Sequence, residues 1–406
     1  MSQTHTNVLI LGGGKVGKSV AELLLACGGG AYRVTLADRE PSALKEASDN
    51  IARLAKLAGG LAAFTTRVVD ATNMSQVREA LKGQHYVICM LPFNFVQGIA
   101  EAANELGVHY FDVTEDVATT DAVRAIDREG RAKVALVPQC GLAPGYIAIA
   151  AYHVACQLDQ VQNLTLRVGA LSQFPTNQLK YNVTWSAAGV INEYCEPCNV
   201  MLHGHNVKVP ALEGLERFSL EGVEYEAFYT SGGVGTLIET LEGDKRLASE
   251  ANVAYKTIRY PGHRDLMQFL LHDLGLATEH ALPTIKGRQF DRWMLIDLFD
   301  HALARTLQDV VVVFVNAIGT RNGQPWQVNF RRRVPATELL GRTWPAIELT
   351  TASGVCAMVD LHRKGQLPRA TGFIRQEEIA LETFNKTVFG LAYEDPAALE
   401  RAIVKA

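Results

Sequence analysis

Short apolar runs alternate with amphipathic stretches along the first third of the chain. The first run, residues 8–11, is wholly apolar and predicts a buried strand, and residues 16–25 after it have the spacing of a helix. Strand-like runs then recur between helical stretches, at residues 33–37, 63–69, 86–90, 109–112 and 134–137. Six strands alternating with helices predict an α/β fold with a parallel, doubly wound sheet.

The pattern changes near residue 139, where two glycines and a proline interrupt it. Longer strands with alternating polarity are expected beyond this point, at residues 164–168, 181–185, 207–209, 224–228, 253–260, 310–317 and 326–331. Helices are expected between some of them, over 345–358, and in the tail 372–406. This pattern predicts a second, α+β domain built on a large mixed sheet.

Three glycines follow the first strand with the spacing G-x-G-x-x-G. Gly12 permits a tight turn, Gly14 lets backbone N–H groups approach a pyrophosphate, and Gly17 lets helix and strand pack closely. Lys15 and Val16 lie in the same turn, at the N-terminus of a helix that can bind an anion. A glycine turn without a ligand is the alternative. The flanking strands favour a dinucleotide site in a Rossmann domain.

Asp38 ends the second strand, where an acidic side chain can accept both hydroxyls of an adenosine ribose. NAD is therefore the expected cofactor, with NADP as the alternative because Arg39 could reach a 2′-phosphate. Ligands of such sheets bind at the carboxyl ends of the strands. The other residues expected to contact the cofactor follow later strands: Asp70, Ala71, Leu91, Pro92 and Thr114.

Three motifs resemble the saccharopine dehydrogenase family, and most closely its lysine 6-dehydrogenase branch. They are Gln-Cys-Gly-Leu-Ala-Pro-Gly at 139–145, Lys-Tyr-Asn-Val-Thr-Trp-Ser at 180–186 with Gly-Val-Ile-Asn-Glu-Tyr at 189–194, and Tyr-Lys-Thr-Ile-Arg-Tyr-Pro-Gly-His at 255–263. The resemblance runs from residue 7 to about residue 373. It implies NAD(P)-linked oxidation of an amino-acid C–N centre by a homodimer. It also implies a Rossmann domain over 1–140, completed by about 345–406, and a substrate-binding and dimerisation domain over 141–344.

Two positions depart from the glutamate-forming saccharopine dehydrogenases. The family has an acidic residue where this chain has Ala143, and an arginine where it has Ala188. Both losses favour a smaller substrate, so we expect oxidative deamination of L-lysine. A saccharopine dehydrogenase or related reductase that forms a secondary amine is the first alternative. A non-catalytic NAD-binding regulator is the second.

The expected substrate residues are chosen by chemistry. Arg259 can clamp a substrate carboxylate with two parallel hydrogen bonds, although it could instead be a surface arginine at a strand end. Tyr181 and Trp185 are four residues apart on a predicted strand, so they would share one face and line the substrate's methylenes or fill the core. Glu193 could bind an ammonium group or cap a helix.

Three further residues complete the expected site. Lys180 could accept a proton if burial lowers its pKa, although a lysine at a strand edge is usually solvated. Glu115 follows the fifth strand on the cofactor side and is the other candidate proton acceptor, unless it and Asp116 only begin a helix. The resemblance implies that Cys140 contacts the nicotinamide side. Because hydride transfer needs no nucleophile, we expect this residue to fill space.

Composition excludes several classes of function. The 406 residues include 48% hydrophobic and 20% charged residues, without an apolar run long enough to span a membrane. A net charge of −4 argues against nucleic acid as a partner. Seven scattered cysteines and a start without signal-peptide character favour a cytoplasmic protein. The spacing of Cys195, Cys198, His203 and His205 fits no standard zinc site, so no metal is expected.

Overall fold

A computed structural model describes residues 5–58, 63–277 and 291–403. Its strands are β1 (Thr6–Leu11), β2 (Tyr32–Asp38), β3 (Phe64–Val68), β4 (Tyr86–Cys89), β5 (His109–Asp112), β6 (Ala135–Val137), β7 (Gln160–Ser172), β8 (Cys198–Leu202), β9 (His205–Val209), β10 (Glu216–Leu220), β11 (Val223–Tyr229), β12 (Leu247–Arg259), β13 (Asp309–Arg321), β14 (Gln324–Pro335), β15 (Thr337–Leu339), β16 (Arg342–Trp344) and β17 (Gly372–Phe373).

The α-helices are α1 (Lys15–Cys27), α2 (Pro41–Ala58), α3 (Met74–Leu81), α4 (Val96–Leu106), α5 (Val117–Arg128), α6 (Tyr146–Ala155), α7 (Ala187–Cys195), α8 (Leu237–Gly243), α9 (His263–Gln268), α10 (Arg292–Ala302), α11 (Ala346–Arg363), α12 (Leu381–Asn385), α13 (Leu391–Glu394) and α14 (Pro396–Ile403). Within the described residues, none of the helices is both long enough and apolar enough to cross a lipid bilayer.

The chain divides into two compact units. Unit 1 comprises Met1–Ile149, Thr337–Trp344 and Glu348–Ala406, and unit 2 comprises Ala150–Ala336 and Pro345–Ile347. Each unit has its own buried core among the described residues.

Unit 1 contains a seven-stranded sheet in the order β17-β6-β5-β4-β1-β2-β3. Every neighbouring pair in it is parallel. Strand β4 is buried along its whole length, as expected for a strand covered on both faces. The predicted parallel, doubly wound sheet is therefore confirmed. Its seventh strand, the two-residue β17, comes from the tail that the sequence pattern predicted as helical.

Unit 2 contains an eight-stranded mixed sheet. Its main path is β10-β11-β12-β7-β13-β14, and β8 pairs with both β12 and β9. Strands β7 and β12 are parallel, whereas the other pairs are antiparallel. The prediction of a second domain on a large mixed sheet is confirmed. The core between this sheet and its helices includes side chains of α7, α9 and α10.

The strand predicted over residues 181–185 is wrong. Within this range only Val183 makes a β-bridge, an isolated one with Arg305. Lys180, just before the predicted strand, has a φ of +50°. The Asn177 side chain binds the backbone of Tyr181 in both directions, with Nδ2 donating to the carbonyl at 2.7 Å and Oδ1 accepting from the N–H at 3.3 Å. These local bonds replace the bonds of a strand ladder. Tyr181 and Trp185 therefore do not share a strand face.

Candidate functional site

The three glycines of the first turn occupy three different environments. Gly12 has a φ of +111°, a conformation that other residues rarely adopt. A Cβ atom on Gly17 would overlap the backbone of Gly12, whereas one on Gly14 would meet no atom within 4 Å. The turn therefore leaves open space beside Gly14, where a pyrophosphate could approach the backbone. This geometry fits the role that the spacing predicts for each glycine.

The N-terminus of α1 supplies hydrogen-bond donors to the same place. Gly14 is its N-cap and makes no side-chain capping bond, and the first bond back into the turn runs from the Lys18 N–H to the Gly14 carbonyl at 3.1 Å. The N–H groups of Lys15 and Val16 precede that bond and point out of the first turn. Such groups bind anions at helix N-termini.

Asp38 ends β2 next to the glycine turn. Its Oδ2 accepts the Gly13 N–H at 2.6 Å and its Oδ1 accepts the Glu40 N–H at 2.8 Å. The carboxylate is thus held in place by backbone groups while each oxygen retains a free lone pair for a ribose hydroxyl. The Arg39 side chain is 72% exposed, and its Nε lies 3.5 Å from Glu40. Two carboxylates, those of Asp38 and Glu40, therefore accompany the single guanidinium of Arg39 at the end of β2.

The turns after β3 and β4 lie at the same edge of the sheet. Asp70 accepts two hydrogen bonds from Thr72, which lower the pKa of its carboxyl, and nearby Arg39 adds to that shift. Ala71 continues this turn and is half-buried. After β4, Leu91 is also half-buried, whereas Pro92 is exposed. The structure thus brings the residues expected to contact the cofactor to one edge of unit 1.

Asp112, at the end of β5, is a buried residue that sequence reasoning did not select. Its Oδ1 accepts the N–H groups of Thr114 at 2.9 Å and Gln139 at 3.0 Å. It therefore ties together the loops that leave β5 and β6. Burial raises the pKa of this carboxyl to about 6, against the effect of the two backbone bonds. An aspartate at a strand end is too common to predict such a bridge from the sequence.

Thr114, Glu115 and Cys140 lie in these two loops. The Thr114 hydroxyl oxygen accepts the Asp116 N–H at 3.2 Å. Burial raises the pKa of Glu115, and the neighbouring carboxyls of Asp116 and Asp112 add to the shift. The Cys140 thiol is buried and donates to the Val137 carbonyl at 2.9 Å. Burial raises the pKa of that thiol well above its usual range, so it stays neutral and suits packing rather than nucleophilic attack.

In unit 2, Arg259 is the end of β12 and the centre of a buried polar cluster. Its Nε donates to the Tyr194 hydroxyl oxygen at 2.8 Å and its Nη1 donates to the Ile258 carbonyl at 3.0 Å. The Tyr194 hydroxyl also lies 3.1 Å from His263 Nε2, and His263 Nδ1 lies 2.8 Å from the Leu179 carbonyl. Arg259 is thus a buried residue at 3% exposure, not a surface arginine.

Among the described residues, the Arg259 guanidinium forms no ion pair within 4 Å, and its remaining N–H groups have no acceptor. Burial opposes its charge, but Tyr194, Tyr181 and the Glu193 carboxylate outweigh burial and raise its pKa. The buried arginine of β7, Arg167, differs because both ends of its guanidinium bind the Glu216 carboxylate, at 2.5 and 3.1 Å. Burying an unpaired charge is costly. Arg259 is therefore a buried, charged group whose outer N–H groups can bind an anion directly.

Tyr181 and Glu193 lie near Arg259. The Arg259 Cζ atom is 5.5 Å from the centre of the Tyr181 ring. The buried Tyr181 hydroxyl interacts with the Thr184 hydroxyl, but neither makes a well-aligned hydrogen bond among the described residues. Burial raises the pKa of Tyr181 to about 12, a shift that Arg259 opposes and Glu193 strengthens. The Tyr181 hydroxyl and the unpaired N–H groups of Arg259 are therefore available to a polar ligand.

Trp185 and Lys180 are placed differently. Trp185 is half-buried and packs on the first turn of α7, where a Cβ atom on Gly189 would lie 2.4 Å from its Cζ3. Ser186 caps this helix by accepting the Gly189 N–H at 3.1 Å. Lys180 is exposed, and its Nζ donates to the Pro261 carbonyl at 2.8 Å. Trp185 therefore does not share a strand face with Tyr181, and Lys180 is not buried, so burial does not make it a proton acceptor.

The four residues considered as a zinc site lie on different secondary-structure elements of unit 2. Cys195 ends α7 and Cys198 begins β8, while His203 and His205 flank the turn into β9. Over residues 5–58, 63–277 and 291–403, histidine, cysteine, aspartate and glutamate side chains form no group of three that could hold a metal ion.

Comparison with known proteins agrees with this architecture. A model of the saccharopine dehydrogenase NADP-binding domain matches residues 8–137, and a model of the saccharopine dehydrogenase C-terminal domain matches residues 141–390. The structure of saccharopine dehydrogenase (L-Glu forming) from Saccharomyces cerevisiae shares the fold, with a TM-score of 0.73, 15% sequence identity and coverage of 95% of this chain and 97% of that one.

An engineered D-amino acid dehydrogenase bound to NADP+ is more distant, with a TM-score of 0.45, 13% identity and coverage of 94% of this chain and 97% of that one. The two family models cover most of the sequence, and they confirm the resemblance of the three motifs to the saccharopine dehydrogenase family. The chain therefore belongs to the saccharopine dehydrogenase family, as an NAD(P)-dependent amino-acid dehydrogenase.

Proposed function

We propose that this protein oxidises the side-chain amine of an amino acid with NAD and releases ammonia, and that its substrate is L-lysine. The observation that carries this proposal is the guanidinium of Arg259, which is buried and unpaired among the described residues. An arginine in that state can bind one carboxylate with two parallel hydrogen bonds. Lysine carries one carboxylate.

The reaction balances as follows. The protonated side-chain amine, NAD+ and water give the aldehyde, an ammonium ion, NADH and one proton. A bound nicotinamide dinucleotide supplies the hydride acceptor. The protein must hold the amino acid, position the carbon next to the amine, and accept a proton from the nitrogen.

The chain's own residues account for these tasks. Gly12, Gly14 and Gly17 fit a pyrophosphate, and Asp38 fits the ribose hydroxyls. Asp38 would repel a 2′-phosphate and supports the choice of NAD. For the amino acid, we assign the carboxylate to Arg259.

Tyr181 and Glu193 complete the proposed substrate contacts. We assign the wall along the substrate's methylenes to Tyr181 and the ammonium group to Glu193. Of the two candidate proton acceptors, Glu115 fits better than Lys180. The raised pKa of the Glu115 carboxyl brings it nearer to neutral pH, whereas the Lys180 amine is exposed and already donates to Pro261.

Two positions favour lysine over saccharopine, which has two further carboxylates on its glutamate arm. Ala188 lies exposed on the first turn of α7, and Ala143 lies half-buried in the turn after β6. Neither can pair with a carboxylate. The second buried arginine of unit 2, Arg167, is neutralised by Glu216. The saccharopine reaction, which releases glutamate, is the competing assignment.

The nitrogen product decides between the two. Purified protein is incubated with L-lysine, saccharopine, L-ornithine or cadaverine, each with NAD and with NADP, while NADH formation, ammonia and glutamate are measured. We expect ammonia and NADH in equal amounts from L-lysine. Glutamate from saccharopine without turnover of lysine would overturn the proposal and establish the competing one.

We further propose that the protein is a homodimer, as the family resemblance implies, and that it is cytoplasmic, as the scattered cysteines favour. Light scattering on the purified protein measures the mass in solution, and a mass of one chain would contradict the dimer.

A further inference from the structure

The hydrogen bonds around Arg259 have defined directions. The Leu179 carbonyl can only accept, so the proton of the neutral His263 ring lies on Nδ1. The Arg259 Nε–H can only donate, so the Tyr194 oxygen accepts it. The hydroxyl proton of Tyr194 is then free to go to His263 Nε2, 3.1 Å away. One directed chain thus runs from Arg259 through Tyr194 and His263 to the backbone at Leu179.

This series of hydrogen bonds requires a neutral imidazole at His263. A proton on both ring nitrogens would place an N–H against the Tyr194 hydroxyl, which would then have to turn its own proton away from His263. Burial lowers the pKa of His263 to about 3 and the positive charge of Arg259 adds to the shift, so the ring is neutral at physiological pH. The neutral Nδ1–H form is also the form that the directions of the bonds require.

The imidazole itself is held by its helix. His263 is the first residue of α9, and the buried Glu226 carboxylate accepts the N–H groups of Gly262 at 2.8 Å and Arg264 at 2.7 Å. The preceding Pro261 carbonyl accepts the Lys180 amine. The start of α9 is therefore anchored on both sides of His263, and the ring has little freedom to turn.

We infer that His263 is a positioning residue for the carboxylate clamp: it orients the Tyr194 hydroxyl, which in turn holds the Arg259 guanidinium. The inference rests on the proposed role of Arg259 and names the groups that direct it. Nε–H and one Nη1–H are used within the protein, which leaves one N–H on Nη1 and two on Nη2. Those two nitrogens form the edge that can bind both oxygens of a carboxylate.

The first test needs no substrate. Nitrogen NMR of the full chain labelled in histidine reports the tautomer and the titration of each ring. We expect one histidine, absent from spectra of His263→Leu, to remain in the neutral Nδ1–H form down to about pH 5, well below the usual histidine pKa. A His263 ring that titrates near the usual histidine pKa of 6.5, or that carries its proton on Nε2, would contradict the proposed hydrogen bonds from His263 to Arg259, whatever the reaction proves to be.

The second test separates positioning from folding. His263→Leu removes the acceptor for Tyr194 and so loosens the hold on Arg259. We expect KM for L-lysine to rise about 10-fold, with a smaller change in kcat. For cadaverine, which lacks the carboxylate, KM should stay within about twofold. His263→Gln offers an acceptor again and should recover most of the loss. His301→Leu, an exposed histidine of α10, serves as the control.

The outcomes distinguish the inference from the proposed function. If saccharopine replaces lysine as the substrate, the same KM increase is expected for saccharopine, because it also carries an α-carboxylate. Equal losses for L-lysine and cadaverine would mean that His263 acts only on folding. An additive effect of His263→Leu in a Tyr194→Phe background would mean that His263 does not act through Tyr194. Either result would overturn the inference.

Discussion

The carbonyl oxygen of Gly12 lies 1.9 Å from the position that a Cβ atom on Gly17 would occupy. Helix α1 therefore packs on the glycine turn at a distance that only a residue without a side chain permits. A Cβ atom on Gly14, three residues earlier, would meet no atom within 4 Å. The two glycines thus serve different purposes, one in folding and one in binding.

Substitutions at these positions should separate stability from cofactor binding. Gly17→Ala should lower the free energy of unfolding by about 1–3 kcal/mol, because the helix must move away from the turn. Gly14→Ala should leave stability nearly unchanged, because its backbone conformation (φ −67°) suits alanine, yet weaken NAD binding by about 10-fold. Urea unfolding and calorimetric titration measure the two quantities. Equal loss of stability in both variants would contradict this division.

Asp38 should determine the preference for NAD over NADP. We expect a higher kcat/KM with NAD, because the carboxylate accepts ribose hydroxyls and repels a 2′-phosphate. Asp38→Asn keeps an acceptor oxygen and removes the charge. It should therefore raise kcat/KM with NADP and narrow the difference between the two cofactors. Asp49→Asn is the control, since Asp49 is an exposed residue of α2 that pairs with Lys45. A clear NADP preference of the unaltered protein would contradict the assignment.

Arg259 should be irreplaceable by lysine. Lysine keeps the charge but cannot form two parallel bonds to a carboxylate or the bond to Tyr194. We expect Arg259→Lys to lower kcat/KM for the amino acid by about 10-fold or more, with NAD binding unchanged. Lys256→Arg is the control, because Lys256 donates to the Gly214 carbonyl and pairs with Glu216. Unaltered kinetics of Arg259→Lys would place the clamp elsewhere.

His109 should make stability depend on pH. Burial lowers its pKa from 6.5 to about 4, and the rings of His362 and His85 add to the shift. As the pH falls below about 6.5, the unfolded chain binds a proton that the folded chain does not. The contribution of His109 to the free energy of unfolding is therefore fully present above about pH 6.5 and is lost as the pH falls toward 4.

A variant isolates this contribution. His109 Nδ1 accepts the Ala135 N–H at 3.0 Å, and His109→Asn can retain an acceptor there without titrating. Urea unfolding at several pH values should give a shallower decrease for the variant. A residual slope is expected because the pKa of His263 is also lowered. An unchanged slope would show that His109 does not contribute.

Much of unit 1 could be predicted from the sequence. The order of strands and helices, the glycine turn and the position of Asp38 after β2 depend on residues that are adjacent in the chain. Strand and helix have different periods, and a turn with a positive φ requires glycine at a particular place. Such constraints act over a few residues, so the sequence expresses them directly.

The substrate region depends on tertiary structure. Arg259 and Tyr194 are 65 residues apart, and Tyr194 and His263 are 69 apart, so no spacing in the sequence indicates their contact. The strand expected over 181–185 was wrong because the Asn177 side chain competes for the backbone of Tyr181. The sequence by itself determined the alternation and the turn, whose causes are local. Only the fold decided which buried arginine has an ion-pair partner, because that depends on groups brought together from distant elements.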